Sequence, residues 1–155
     1  MTADAKRGVD VQTEQTRSVV ERLAEVFTTK SVDGLDEIVA ESVVCHSLAA
    51  GGPRGREMYR QLISWVDHTI GNARWDVLSL LADGDRAVLH VRLSGRHTGH
   101  FLGVPPTGRE FSAEQVYIYR VRDGMVTDYW LVRDDVEALL QIGAIQPSWQ
   151  RARPA

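Results

Sequence analysis

Between Asn72 and Val132 the chain alternates apolar and polar residues, interrupted by two short turns and one longer loop. "ARWDVLSLLADGDRAVLHVRLSG" reads as two strands around "ADGD", and "REFSAEQVYIYRVRDGMVTDYWLV" as two more around Asp123-Gly124. Asp-Gly between alternating runs marks a hairpin, because the tight turn needs a positive φ that these residues adopt at low cost. The chain is therefore committed to a four-stranded antiparallel meander. A meander with one apolar face must bury that face against something else.

The cover lies upstream. From Val11 to Thr29, the residues Val19, Val20, Leu23, Ala24, Val26 and Phe27 recur at helical spacing. Asp33 is placed to cap a short second helix with Leu35, Ile38 and Val39 on its inner side. "SVVCHS" is β-branched and short, an early strand, and the turn-rich "LAAGGPRG" follows it. "REMYRQLISWVDHTI" carries Met58, Leu62, Trp65 and Val66 in a helical pattern. After the strands, "RDDVEALLQIGA" reads as a short helix stopped by Gly143. The expected fold is α+β: a curved, mostly antiparallel sheet wrapped on three N-terminal helices, with a short C-terminal helix. One domain spans residues 11–146, with flexible ends at 1–10 and 147–155. A curved sheet closed on helices leaves a cone whose mouth takes ligands.

Composition narrows the function. A chain of 155 residues with 43% hydrophobic and 25% charged residues builds one ordinary core. A net charge of -3 gives no footprint for nucleic acid or an acidic membrane. No apolar run reaches the ~20 residues of a membrane span, and no secretory leader is visible. Cys45 is the one cysteine, so no internal disulfide forms, and the expected location is the cytoplasm. Cys45 has no basic cluster near it in sequence and reads as a packed small hydrophobe. "GGPRG" lacks the Lys-Ser/Thr of a phosphate-binding loop, and no G-x-S-x-G nucleophile motif occurs. His97 and His100 lack a third ligand at metal spacing, so no metal site is expected. His97 reads as a loop anchor or as a polar group at the pocket mouth, and His100 as exposed.

The stretch from Gly95 to Ala144 resembles the SnoaL-like polyketide cyclases of the NTF2-like superfamily. The matching elements are G-x-H-x-G at Gly95 to Gly99, F-L-G-V-P-P-T-G-R at Phe101 to Arg109, Asp123-Gly124, W-x-x-x-D at Trp130 to Asp134, and "LLQIGA". Upstream, "VVCHSLAAGGPRGREMYRQLISW" is similar to the family's strand, histidine, glycine loop and helix. The resemblance covers residues 14–146. It implies a cone-shaped α+β barrel, a homodimer or higher assembly, and a hydrophobic polyketide-like substrate. It also implies ring closure by intramolecular aldol condensation without metal or cofactor.

Such a step needs a base for a carbon acid. A carboxylate in an apolar cavity serves, because burial raises its pKa toward neutrality. The resemblance points to Asp134, with His46 as its partner. Asp134 is equally a good N-cap for "DVEALLQ", unless Asp135 takes that place. His46 reads equally as a strand-end histidine bonded to backbone. Alternation puts Phe111, Ala113, Gln115, Tyr117 and Tyr119 on one face of their strand, and either face can be the concave one. The expected cavity wall contains Trp130, Gln115, Tyr117, and His90 or Arg92, with Trp65, His97 and Phe101 as further substrate contacts. The family's founding members carry a histidine near the end of the penultimate strand, where this chain has Tyr119-Arg120-Val121-Arg122. Two other readings stand beside the cyclase. One is an epoxide-opening or hydroxylation-linked enzyme using Arg92, Asp128 and Asp134. The other is a binding protein without catalysis.

Overall fold

The computed structural model describes residues 3–47 and 55–147. Most of "LAAGGPRG" and nearly all of the expected C-terminal tail lie outside the described residues. The elements are α1 (Ala3–Thr29), α2 (Leu35–Ile38), β1 (Val39–Cys45), α3 (Glu57–Thr69), β2 (Ile70–Asp83), β3 (Arg86–His97), β4 (Glu110–Arg122), β5 (Met125–Arg133) and α4 (Asp135–Gln141).

Two boundaries differ from the sequence reading. Helix α1 begins at Ala3, where the sequence reading had a frayed end to residue 10. At α2 the cap position falls on Gly34 in the left-handed region (φ 74°), without a side-chain bond, instead of on Asp33. Asp33 is held one step earlier, its N–H donating to Ser31 Oγ at 3.3 Å. The helix therefore lasts one turn, and Val39 already opens β1 with extended backbone.

The sheet runs β1-β5-β4-β3-β2, with β1 parallel to β5 and all other pairs antiparallel. Strands β3 and β4 pair without a slip from Arg86↔Arg120 to Arg96↔Glu110. Their buried sets, Leu89, Val91 and Leu93 against Tyr117, Gln115 and Ala113, therefore share one inner face. Helix α1 lies over that face with Val20, Leu23 and Phe27 fully buried. The Phe27 ring centre lies 5.0 Å from Trp75 and 5.3 Å from Tyr117. Truncating a ring packed this way costs about 3–5 kcal/mol. Thr16 and Thr13 tie α1 to the β2–β3 turn: Thr16 Oγ1 donates to Gly84 O (2.7 Å), and Gly84 N–H donates to Thr13 Oγ1 (2.9 Å). Those bonds explain a threonine with no exposed surface.

One irregularity decides which residues face inward. The tight turn after β4 pairs Arg122 with Met125 and Val121 with Val126. Continued unbroken, that register would set Tyr117 opposite Trp130. A slip of one residue between Arg120 and Val121 intervenes, leaving Thr127 as the extra residue. Beyond it, Tyr117 faces Leu131 and Ile118 faces Trp130. A one-residue slip sends every following side chain to the other face.

The "GHFLGVPPTGR" loop closes the end of the β3–β4 hairpin. His97 staples it: Thr107 N–H donates to His97 Nδ1 (3.2 Å), Gly108 N–H to His97 O (2.9 Å), and His97 N–H to Arg109 O (2.8 Å). Gly99 passes so close to α3 that a Cβ there would sit 2.8 Å from His68 O and from Thr69 Cα. Only glycine allows this backbone approach.

Candidate active site

A cleft with two connected lobes opens between α3 and the inner face of the sheet. The wider lobe, about 290 Å³, is walled by Cys45, Met58, Tyr59, Gln61 and Tyr129. The narrower, about 20 Å³, runs toward Trp75, Leu93, Phe101, Phe111, Ala113, Gln115, Asp134 and Asp135. Leu62, Trp65, Tyr117, Leu131 and Arg133 border both lobes. Trp65 reaches the cleft from α3, and Phe101 from the loop, with ring centres 5.9 Å apart. Phe101 also stacks on Phe111 at 6.1 Å. The walls are thus aromatic and aliphatic, with few polar groups.

Those polar groups are specific. Tyr117 Oη donates to Gln115 Oε1 at 3.2 Å, with both residues buried. Tyr129 Oη donates to Met58 Sδ at 3.0 Å. Burial holds Tyr59, Tyr117, Tyr119 and Tyr129 above the ordinary phenol range, so all four stay neutral; Tyr117 and Tyr129 donate the bonds just described. Arg133, at the end of β5, donates to Asp135 Oδ2 at 2.9 Å.

Asp134 stands at the mouth as the N-cap of α4. Its Oδ1 accepts from Glu137 N–H at 3.0 Å, and its own N–H donates to Glu114 O at 3.0 Å. Its Oδ2 has no hydrogen bond among the described residues. Asp135 is therefore not the cap; it is the first residue of α4 and the partner of Arg133.

The expected site divides. Asp134, Gln115, Tyr117, Trp65 and Phe101 line one cleft. His97 lies behind it, fully buried, with its ring edge toward Phe101 at 6.3 Å. Four expected residues are elsewhere. Trp130 is on the outer face, because the Thr127 bulge turned it there. His46 goes with it: its ring stacks on Trp130 at 4.4 Å, and its Nε2 lies 2.9 Å from Asp128 Oδ1. His46 and Asp134 do not converge. His90 and Arg92 are also outside, both bonded to Glu114 (2.7 and 3.0 Å), since Leu89, Val91 and Leu93 take the inner face. Arg92 and Asp128 consequently do not join Asp134, which leaves the epoxide-opening constellation unassembled. Among the described residues no three His, Cys, Asp or Glu gather as metal ligands.

Sequence reasoning missed Arg133, Asp135, Leu131 and Tyr129. Arg133 lies directly opposite Gln115 in the ladder. The position is visible only once the bulge is known.

A cone of this kind, helices inside a curved sheet with an apolar cleft at its mouth, is the NTF2-like fold. Two solved structures share it: TsrD from Streptomyces laurentii (25% identity, TM-score 0.77, 85% of this chain and 97% of that one) and IdmH from Streptomyces antibioticus (28%, 0.71, 83% and 99%). The family model for SnoaL-like polyketide cyclase matches residues 17–142, and the chain belongs to that family. Among curated relatives, it is 31% identical over 134 residues to the nogalonic acid methyl ester cyclase of Streptomyces nogalater, covering 85% of this chain and 100% of the relative. It is 30% identical over 139 residues to the aklanonic acid methyl ester cyclase AcmA of Streptomyces galilaeus, covering 88% and 96%.

Proposed function

We propose that this protein closes a carbon ring on a polyketide ester by an intramolecular aldol step, with Asp134 as the acid–base group. The observation that carries the reading is the two-sided carboxylate at the mouth of an aromatic cleft. Oδ1 is held by the helix amide, and Oδ2 is free to face a substrate. In the reaction, Asp134 takes a proton from the carbon between two carbonyls. The resulting enolate attacks a ketone within the same molecule, forming the new carbon–carbon bond. Asp134 then returns its proton to the alkoxide. No net electron or proton is exchanged, so ordinary acid–base chemistry suffices.

Asp134 is exposed at the mouth. A flat polycyclic substrate lying against Trp65, Tyr117 and Leu131 would cover it, and that desolvation raises the basicity of the carboxylate when it is needed. The substrate class follows the relatives, named for methyl esters of nogalonic and aklanonic acid. The test is Asp134→Asn, which keeps an oxygen for the cap and removes the base: turnover of such an ester falls while the melting temperature stays.

Two further parts belong to this reading. The protein assembles as a homodimer or higher oligomer through the outer sheet face, where Val44 (48% exposed), Leu81 (66%) and Val132 (63%) leave apolar surface. It works in the cytoplasm, in keeping with a free thiol at Cys45. Among the described residues, no helix is long and apolar enough to cross a membrane.

A further inference from the structure

We infer that Arg133 is the oxyanion-binding residue of the cleft, receiving the enolate oxygen where the two lobes meet, so that the site selects substrates that ionise there. This rests on the ring-closure reading above. Arg133 borders both lobes, and among the described residues lining them it is the one positive charge. Its Nη2 donates to Asp135 Oδ2, and the remaining guanidinium donors have no partner among the described residues. Across the ladder, Tyr117 occupies Gln115 Oε1, which fixes the amide and leaves its Nε2 donors unpartnered among the described residues. Gln115 and Arg133 are ladder partners that both line the narrow lobe, so their amide and guanidinium donors can form a fork on one wall of a largely apolar space. Such a fork suits a single oxyanion better than a neutral carbonyl.

The surrounding charges agree. The groups facing this point are Cys45 from β1, Tyr59 from α3, Tyr117 from β4, Tyr129 from β5, and Asp134 and Asp135 at the mouth. The tyrosines are neutral, and Arg133 and Tyr117 both border the two lobes, the Arg133 charge acting on the Tyr117 hydroxyl against the effect of burial. When Asp134 takes the carbon-bound proton, the C–H electron pair becomes the enolate. One negative charge thereby moves from Asp134 to the oxygen, and the total is unchanged. A fixed cation beside the oxygen favours that transfer.

The test uses 1,8-dihydroxyanthraquinone, a flat phenol whose ionisation changes its visible absorption. It is bound to the full chain carrying Asp134→Asn, which reproduces the charge state of the enolate complex. Binding is followed by tryptophan quenching and ionisation by absorbance. The bound phenol is expected to ionise about one pH unit lower with Arg133 than with Arg133→Gln. Arg133→Lys should restore part of the shift. Arg133→Met, similar in volume, replaces Gln should that variant fail to fold by circular dichroism. Binding with the same ionisation pH in the presence and absence of Arg133 overturns this inference and leaves the ring-closure reading standing. No binding by the unsubstituted chain overturns that reading, and this inference with it.

Discussion

His46 and Asp128 meet across β1 and β5 on the outer face of the sheet, Nε2 to Oδ1 at 2.9 Å, with Trp130 stacked against the imidazole. Arg86 and Arg120 lie over the same indole at 5.0 and 5.9 Å. The group holds the parallel edge strand to the meander and has no access to the cleft. His46→Ala should therefore cost about 1 kcal/mol of stability, less than the ~1.5–3 kcal/mol of a buried charge-assisted bond because the ring is 38% exposed. Turnover should stay within about twofold of the unsubstituted protein, since no lost contact adjoins a reacting atom. Thermal melting beside a rate assay checks both halves. A hundredfold loss of rate would return His46 to the chemistry.

The same pair sets an acid dependence. The hydrogen bond from His46 is the main cause holding the Asp128 carboxyl below its ordinary 3.8, with Thr127 and Arg120 adding to it. A carboxyl depressed in the folded state contributes its stability above the unfolded pKa and loses it as pH falls through the folded pKa. Asp128→Asn should thus be less stable than the unsubstituted chain at pH 6, and the gap should narrow steadily below about pH 4. Urea titrations at pH 6 and below about pH 4 measure it. A gap that widened in acid would contradict the assignment.

Leu131 and Trp130 are neighbours in sequence with opposite surroundings. Leu131 borders both lobes, whereas Trp130 stands outside. Leu131→Trp should fill the junction of the lobes and raise KM at least tenfold, at a folding cost of about 1–3 kcal/mol. Trp130→Leu should leave KM unchanged while lowering stability. Steady-state kinetics on the pair tests the register directly, and the reverse pattern would mean that the bulge at Thr127 is absent.

That bulge also marks where the sequence stops being legible. The hairpins, the helices and the α+β class were readable because alternation, Asp-Gly turns and helical spacing are local signals, and the family was readable from the resemblance of the Gly95–Asp134 motifs. Asp134, Gln115, Tyr117, Trp65 and Phe101 were readable as residues of one cleft. Trp130 was misplaced, because alternation gives two faces without saying which is concave, and a single inserted residue exchanges them. Arg133 escaped notice for the same reason. His46 was placed by the resemblance, and it stacks on Trp130 outside the cleft. His90 and Arg92 were misplaced although their strand has no slip against β4. There the ambiguity was only which face the apolar residues would claim.

Gly99 offers a test of the loop's scaffold role. Its missing Cβ would meet backbone atoms of His68 and Thr69 at 2.8 Å, and backbone does not yield as a side chain does. Gly99→Ala should destabilise the protein by about 1–3 kcal/mol and displace Phe101 from the narrow lobe, seen as a lower melting temperature and a raised KM. Gly103→Ala, where a Cβ meets nothing within 4 Å but φ is 78°, should cost about 1 kcal/mol from backbone strain alone. Equal behaviour of the two variants would argue against close approach as the reason for Gly99.

The central claim is that Asp134 carries the proton. Because asparagine preserves the cap oxygen, Asp134→Asn separates the two roles of this side chain. With a polyketide methyl ester as substrate, kcat should fall by about 10²–10⁴, with the melting temperature within a few degrees of the unsubstituted chain. A folded Asp134→Asn protein that closes the ring at the unsubstituted rate would contradict the account.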